Sequence, residues 1–403
     1  MIFTNILSLF IITTYELSLT QCIALAKQYN LELQEAKTNV QIVNSQLKET
    51  YSSFYPAIEV SGGYQTFEEK NCQYSWGISS RYTIYRGGTR IWNLKISQLQ
   101  LKDAKELYRQ KENQIILQVK QNFYKIVKLQ ETEKLLRHIL NRRRENLELI
   151  ALNYESGRES ALNLELSRIN LEQIEYELQK LKTELKSAKY ELATFLNLAD
   201  TDFVLQNETK IAKIPNLDSM IEIALKKRPE LIREDIAEKI YQFQLKTKWA
   251  NYLPLISFNS SYGGNGQTLP TSRNTWSAGV SLGITLFDGF SREAQINEVK
   301  LALKNQSYRK ERTKLNIINE VRKAFDMYFN AIQYLEIASR KKSVLTDAYR
   351  LTKLQYQQGR TSYFFLEQKE NELTQAESDY INALYNLNNA WAQLIYAIGG
   401  EIL

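Results

Sequence analysis

Residues 276–286, WSAGVSLGITL, alternate between apolar side chains and small or polar ones. A period of two is typical of a β-strand with one apolar and one polar face. Residues 74–84, YSWGISSRYTI, show the same alternation in the first half of the chain. Each stretch follows a less regular alternating segment, at 57–65 and at 255–262, so the sequence predicts two β-hairpins.

The two hairpins belong to an internal duplication of the chain. A shift of 198 residues pairs Pro56 with Pro254, and a shift of 202 residues pairs Gly157 with Gly359. An insertion of four residues in the second hairpin accounts for the difference between the two shifts. Two copies of one unit predict a pseudo-symmetric assembly, because such units bury their apolar faces against each other.

The duplication also predicts how the chain is divided. Residues 1–15 are expected to be a signal segment, because the apolar run 2–12 suits an export signal and is too short to cross a bilayer as a helix. Neither basic residues before the run nor a small-x-small cleavage site accompanies it. The other expected segments are repeat 1 at 16–197, a connector at 198–216 with a short strand at 203–205, and repeat 2 at 217–400.

Each repeat is expected to hold a helix, a β-hairpin and a long helical hairpin. A helical pattern over 20–51 predicts the first helix, and a pattern over 89–153 predicts a helix about 100 Å long that packs as in a coiled coil. The other predicted elements are the hairpins at 57–86 and 255–288 and the helices at 161–197, 291–357 and 362–398. The predicted transitions between helix and strand are Pro56, Gly87, Gly88, Pro254 and Gly289.

Composition and charge narrow the classes of function. Only 5 Pro and 15 Gly in 403 residues favour long uninterrupted helices. The 52 basic and 45 acidic residues are interspersed as on solvated helix faces, so nucleic acid is not expected as a partner. Cys22, Cys72 and the single histidine His138 form no metal-binding, disulfide or catalytic motif. We therefore expect no enzyme, metal or cofactor.

The predicted strands suit a membrane but are too few to form a barrel. Strands of about ten residues, apolar on one face with Trp and Tyr near their ends, are typical of transmembrane β-barrels, and single-chain barrels begin at about eight strands. Open sheet edges in lipid leave backbone groups unpaired at several kcal/mol each. Other copies of the chain would therefore have to complete the barrel. The alternative is a water-soluble helical protein whose two hairpins pack on its own helices.

A series of short stretches runs in order through both repeats. They are LSLTQCIALAKQYNLEL at 17–33, YRGGTR at 85–90, YESGRES at 154–160, FDGFSR at 287–292 and YQQGRTS at 356–362, together with the proline before each hairpin. In this order they resemble the TolC family of outer-membrane efflux channels. The resemblance covers nearly the whole chain, from about residue 17 to residue 400.

The resemblance implies a mainly α-helical fold with a small β part. It implies a homotrimer in the outer-membrane lipid, in which each chain adds four strands to a shared twelve-stranded barrel and its helical hairpins form a periplasmic tunnel. It further implies a passive exit duct for efflux or type I secretion, opened by a periplasmic adaptor and an inner-membrane transporter of the ABC, RND or MFS type. The alternative function is a structural coiled-coil protein, soluble or surface-attached, without a pore.

The resemblance also implies two regions of contact and closure at the turns of the helical hairpins. Members of the family bind the adaptor at these tips. The acidic residues that narrow the entrance in the family correspond to uncharged residues in this sequence. One interpretation is therefore an apolar constriction that closes the pore by excluding water. The alternatives are simple helix stops at the two glycines and aromatic rings packed between helices. The tip residues are Tyr154, Gly157, Arg158, Tyr356, Gly359, Arg360 and Thr361, and the constriction residues are Asn163, Phe364, Phe365 and Gln368, with Tyr363 as a further candidate.

Aromatic residues on the predicted strands form a third candidate group. Trp and Tyr favour the membrane interface, because their rings combine an apolar body with a polar edge. In a soluble fold the same residues would be strand core. The belt candidates are Tyr64, Tyr74, Trp76, Tyr262 and Trp276, and Arg81 is expected to face the lumen.

Overall fold

The computed structural model describes residues 15–66, 72–206, 216–271 and 273–400. The predicted signal segment therefore lies outside the described residues, except for Tyr15. The helices are α1 (Leu19–Tyr29), α2 (Leu31–Ser52), α3 (Thr89–Glu155), α4 (Ala161–Leu196), α5 (Leu217–Lys227), α6 (Pro229–Trp249), α7 (Ser291–Gln357) and α8 (Tyr363–Ala397). The strands are β1 (Tyr15–Leu17), β2 (Ala57–Thr66), β3 (Cys72–Arg86), β4 (Phe203–Leu205), β5 (Leu255–Gly266) and β6 (Arg273–Gly283).

The chain forms two compact units that cut across the two repeats. The hairpin unit holds the described residues of 1–34, 111–228 and 317–403, and the sheet unit holds those of 35–110 and 229–316. Both long helices, α3 and α7, continue from the sheet unit into the hairpin unit, and each has 67 residues. Their bounds lie close to the predicted helices at 89–153 and 291–357. None of the described helices combines the length and the apolar character needed to cross a membrane.

The prediction of a single helix over 20–51 is wrong, because the helix is interrupted at Asn30, between α1 and α2. The backbone of Asn30 is extended there, with φ −64° and ψ 125°. Its side chain donates to the Phe195 carbonyl at 2.9 Å and accepts from the Leu33 N–H at 3.2 Å, as a helix cap does. The second repeat breaks at the equivalent Arg228, where the following Pro229 disfavours helical backbone in the residue before it.

The four long strands form one antiparallel sheet in the order β2-β3-β5-β6. The paired row Val60–Ile78–Tyr262–Trp276 lies on one face, and the rows beside it on that face combine apolar residues with Ser80, Ser260 and Asn274. Val60, Val280 and Trp276 are 66–78% exposed, so the described part of the chain leaves this face uncovered. Among the strands that the structure describes, β2 and β6 each have a neighbour on one side only.

The second hairpin differs from its prediction at both ends. β5 continues through Gly266, so Gly263, Gly264 and Asn265, predicted as hairpin tip, belong to the strand. The reason is the 15-residue partner β3, which offers Gly77 and Ser75 as paired neighbours to Gly263 and Asn265. β6 ends at Gly283, three residues before the predicted end at Leu286. The predicted first hairpin tip near Glu68 lies outside the described residues.

Glycines form the return from strand to helix in both repeats. Gly87 has a φ of +56°, and a Cβ there would lie 2.6 Å from the Ala250 carbonyl oxygen, so both conformation and space require glycine. Gly88 and Gly289 have φ values of +76° and +69°. Pro56 and Pro254 stand directly before β2 and β5. These are the positions at which the sequence predicts the transitions.

The hairpin unit has a continuous apolar core near its two short strands. Phe123 of α3, Leu192 of α4 and Cys22 of α1 are buried together there. β1 and β4 pair in parallel beside them, with Leu17 opposite Leu205. The connector strand predicted at 203–205 is thus present, and burial raises the pKa of the Cys22 thiol to about 12.

Candidate functional site

The two tip turns have the same backbone geometry. After α3, the N–H of Gly157 donates to the Tyr154 carbonyl at 2.9 Å and the N–H of Arg158 donates to the Asn153 carbonyl at 2.8 Å. After α7, Gly359 and Arg360 make the equivalent bonds to Tyr356 and Gln355, both at 2.9 Å. This pair of bonds is the Schellman motif, which needs a left-handed residue at the turn. Both glycines have a φ of +72° and open space around them, so conformation alone requires glycine.

The side chains at the two tips differ although the backbones agree. Tyr356 is 5% exposed, and its hydroxyl donates to Glu159 Oε2 at 2.7 Å, which links the second hairpin to the first. Its equivalent Tyr154 is 43% exposed. Arg158 and Arg360 are exposed, and no carboxylate of the described residues pairs with either. The tip residue Thr361 occupies the place that Glu159 has in the first repeat.

Glu159 is the polar centre of the contact between the tips. Its carboxylate accepts from Asn163 Nδ2 at 2.7 Å and from the Ser160 N–H at 3.0 Å. Partial burial opposes ionisation, but the hydrogen bonds from Asn163, Tyr356 and Ser160 outweigh it and lower the pKa of Glu159. Burial raises the pKa of Tyr356 to about 12, so both groups keep their hydrogen-bonding forms at neutral pH.

The structure divides the constriction candidates into two groups. Asn163 donates a hydrogen bond to Glu159, whereas Phe364 and Phe365 are exposed on the first turn of α8. Gln368 Nε2 donates to Glu372 Oε1 at 3.0 Å on the same helix. Tyr363 does not share the exposure of the two phenylalanines, because it packs in a buried cluster.

The belt candidates lie on one face of the sheet and near one end of it. Tyr64 is paired with Tyr74, and their ring centroids are 5.1 Å apart. Trp76 lies edge-on to Tyr262 at 5.4 Å, and Trp276 is the paired neighbour of Tyr262 on β6. The sequence therefore predicted five residues that the fold brings together.

The opposite face of the sheet is polar and lined by small side chains. Ser257 and Ser281 are 2.7 Å apart through their hydroxyls, and Ser261 and Ser277 are 2.9 Å apart. Arg81 lies on this face and is exposed. The sheet thus separates an uncovered apolar surface from a polar surface.

A buried group of charges between the hairpins was missed by the sequence analysis. We call Arg142 and Arg143 of α3, with Glu370 and Glu377 of α8, the ion cluster. Arg142 Nη2 lies 3.1 Å from Glu377 Oε2, and both arginines lie 3.3–3.4 Å from Glu370 Oε1. Asn146 donates to Glu370 Oε2 at 2.8 Å. The available signal was that Arg143 and Asn146 occupy the same helical stripe as Ile139 and Ile150.

Comparisons with known proteins agree with these features. The sequence profile of the family described as outer membrane efflux protein matches residues 22–198 and 220–400. No curated protein matches the chain. Among solved structures, CusC has a TM-score of 0.86 at 18% identity and covers 95% of this chain and 92% of its own. The outer membrane protein VceC of Vibrio cholerae has a TM-score of 0.83 at 14% identity, covering 95% and 96%. The open-state MtrE outer membrane channel of Neisseria gonorrhoeae has a TM-score of 0.80 at 18% identity, covering 95% and 89%.

Proposed function

Because this chain belongs to the outer membrane efflux protein family, we propose that it acts as a homotrimer that forms the passive exit duct of a tripartite efflux or type I secretion system. As a member of this family it is a TolC-like channel of the outer membrane with a periplasmic helical tunnel. The family is one of channels and not of enzymes. A passive duct does not select its cargo, so the transporter determines whether small molecules or proteins are exported.

The observation that carries the proposal is the open sheet with one uncovered apolar face. Lipid is the environment in which that face needs no protein cover, but lipid does not tolerate the unpaired edges of β2 and β6. Three copies supply twelve strands, which exceeds the minimum of about eight for a closed transmembrane barrel. Closure pairs β6 of each copy with β2 of the next. The belt aromatics then lie at one membrane interface and Arg81 faces the lumen.

Channels of this family function with periplasmic adaptors and inner-membrane transporters. We assign the adaptor contact to the two tips. Their shared Schellman geometry presents the same backbone shape twice, and each tip ends in an exposed arginine, Arg158 or Arg360, that is free to meet an acidic or carbonyl group. The transporter behind the adaptor belongs to the ABC, RND or MFS type.

We assign the periplasmic constriction to Phe364 and Phe365, because both rings are exposed near the tip and apolar rings close a pore by excluding water. Replacing Phe365 with Ser is expected to raise the closed-state conductance of single channels in planar bilayers. The matched control is Phe329→Ser, which removes an exposed ring on a different helix, α7, away from the tip. Equal leakage in both variants would show that Phe365 packs between helices and does not gate the pore.

The assembly is tested by extracting the protein from isolated membranes in mild detergent and measuring its mass by native mass spectrometry. A trimer recovered from outer membranes supports the shared barrel. A soluble monomer or dimer would contradict it and favour the structural coiled-coil protein without a pore.

A further inference from the structure

Basic side chains lie over aromatic rings where the sheet meets the helices. Arg90 of α3 lies over the ring of Tyr82 on β3, 4.7 Å from its centroid. Tyr82 is four positions from Ile78 on the same strand and therefore shares its apolar face. Lys300 of α7 lies over the ring of Trp249 on α6, at 5.8 Å. The Arg90 contact therefore places positive charge on the side of the sheet that faces lipid in the proposed barrel.

The largest group of such contacts joins α3 to α6. The rings of Trp92 and Phe243 stack with their centroids 5.7 Å apart and an angle of 17° between their planes. Lys95 Nζ lies 5.0 Å and 5.4 Å from these two centroids, and Lys246 Nζ lies 4.7 Å and 5.3 Å from them. We call these four residues the lysine–aromatic site. Two positive charges are thus held on one pair of rings.

Neither lysine of this site has its charge compensated by an acid. Within the described part of the chain, no carboxylate pairs with Lys95 or Lys246. No residue three or four positions from either lysine along its helix is acidic. Elsewhere in the sheet unit, Lys310 of α7 pairs with Asp235 at 2.7 Å and with Glu238 at 2.9 Å, both on α6. The lysine–aromatic site therefore has an excess of positive charge that an anion can compensate.

The other repeat forms the equivalent helices without these side chains. At the equivalent positions, the shifts of 202 and 198 residues give Ala294 and Asn297 on α7 and Ser45 and Lys48 on α2. Neither ring has an equivalent there, and only one of the two lysines has one. The site is therefore not a requirement of the junction between sheet and helices, which favours a role in binding.

The lysine–aromatic site lies just beyond the periplasmic end of the sheet. Lys95 is nine positions after the last residue of β3, and Lys246 is nine positions before the first residue of β5. The helix from Thr89 to Lys95 spans about 9 Å. Each headgroup layer of a bilayer is about 5–8 Å thick. Long lysine side chains reach this layer from just below it, so the two ammonium groups lie at the depth of lipid phosphates.

Exposed apolar residues mark the side of these helices that faces lipid. Ile91 is one turn nearer to the sheet than Lys95 on α3, and Trp249 is one turn nearer than Lys246 on α6. Residues one turn apart lie on the same side of a helix. Ile91 and Trp249 are 53% and 50% exposed. In both helices an apolar side chain next to the membrane is thus followed by a lysine further out, which is typical of residues that anchor a protein at the interface.

We infer that the lysine–aromatic site binds the phosphate of an anionic phospholipid in the periplasmic leaflet of the outer membrane. Basic groups next to a membrane-spanning segment recognise anionic headgroups in this way. Phosphatidylglycerol suits the site, because phosphate is its only charged group, whereas the lysines would repel the ammonium of phosphatidylethanolamine. The inference rests on the proposed function only in placing the apolar face of the sheet in lipid, and it does not depend on the number of copies.

Native mass spectrometry of the full protein, stripped of lipid in mild detergent, tests this inference. The protein is titrated with phosphatidylglycerol, with phosphatidylethanolamine and with glycerol 3-phosphate, and we expect tight binding of phosphatidylglycerol alone. Lys95→Gln combined with Lys246→Gln should weaken that binding about 30-fold, because each lysine beside an anionic headgroup contributes a factor of about five. Lys95→Arg combined with Lys246→Arg keeps both charges and should retain it.

The matched control is Lys180→Gln with Lys182→Gln, which removes the same charge at exposed positions of α4, outside the sheet unit. Equal binding of the two lipids, or equal affinity of the site and control variants for phosphatidylglycerol, would overturn the inference. Glycerol 3-phosphate bound as tightly as the lipid would also overturn it, because the site would then take soluble phosphate esters. A mass other than that of a trimer would contradict the proposed homotrimer, while the number of lipids bound per chain would still test the site.

Discussion

At the scale of single residues, the exposed arginines of the two tips are the positions most open to a direct test. We expect Arg158→Glu combined with Arg360→Glu to abolish transport and leave the trimer assembled, because both residues are exposed and lack partners within the described chain. Transport is measured by export from cells, and assembly by native mass spectrometry. The control is Arg309→Glu with Arg312→Glu, which makes the same charge change at exposed positions of α7 away from the tips. Normal transport by the tip variant would remove the adaptor assignment.

The hydrogen bond between Tyr356 and Glu159 predicts a response to acid. Since the folded pKa of Glu159 is lowered, ionised Glu159 stabilises the tip above its unfolded pKa of about 4.3, and this stabilisation is lost as the pH falls through the folded pKa. We expect closed-state conductance to rise only in that acidic range. Tyr356→Phe removes one hydrogen bond to the carboxylate, worth about 1.5–3 kcal/mol, and should move the rise to higher pH.

Single-channel recordings from pH 3 to 7, a range chosen around the ordinary pKa of Glu at about 4.3, compare the two proteins. Tyr154→Phe is the control, because this equivalent tyrosine is exposed. An identical pH profile for wild type and Tyr356→Phe would show that the bond does not hold the tip.

At the scale of elements, the ion cluster decides how firmly α3 is held to α8. Glu370 is 3% exposed and faces two arginines, while Glu370 Oε1 and both arginine Nε atoms lack a well-formed hydrogen bond. Burial and the charge of Glu370 also raise the pKa of the adjacent Tyr349 to about 12. The cluster thus depends on charge balance more than on ideal geometry.

We expect Glu370→Gln to destabilise the hairpin unit by about 3–5 kcal/mol, because it leaves buried arginine charge uncompensated. Urea unfolding followed by helical circular dichroism measures the shift. Glu175→Gln breaks an exposed pair with Arg144 and should change stability by less than about 1 kcal/mol. Equal shifts in the two variants would mean that the cluster is effectively solvated.

Element bounds were predictable where one period persists and were missed where one side chain redirects the backbone. The long helices and the sheet follow repeated patterns, so their existence could be read from the sequence. The break at Asn30 has a local part, the cap that its side chain forms on the Leu33 N–H, and a distant part, the hydrogen bond to Phe195, 165 positions away, which the sequence pattern does not show. Similarly, the tip glycines were evident, but the link between Glu159 and Tyr356 joins the two repeats and needs the fold.

At the scale of the whole molecule, the two faces of the sheet should respond oppositely to charge. Val280 lies on the apolar face and Ser281 beside it on the polar face. Val280→Lys is expected to cost up to about 2–4 kcal/mol in lipid and to reduce the amount of protein in the outer membrane. Ser281→Lys adds the same charge to the proposed lumen and should leave that amount unchanged. Equal amounts of both variants in outer-membrane fractions would contradict the assignment of the faces.

The order β2-β3-β5-β6 determines how the strands of neighbouring copies run relative to each other where two copies join. In an antiparallel sheet of four strands the two outer strands run in opposite directions, so β6 of one copy meets β2 of the next antiparallel. A ring built in this way contains no joint of mismatched direction, whatever the number of copies. A single repeat, with its two strands, has the same property. Duplication therefore halves the number of chains that a ring needs and leaves the alternation of strand directions as it was.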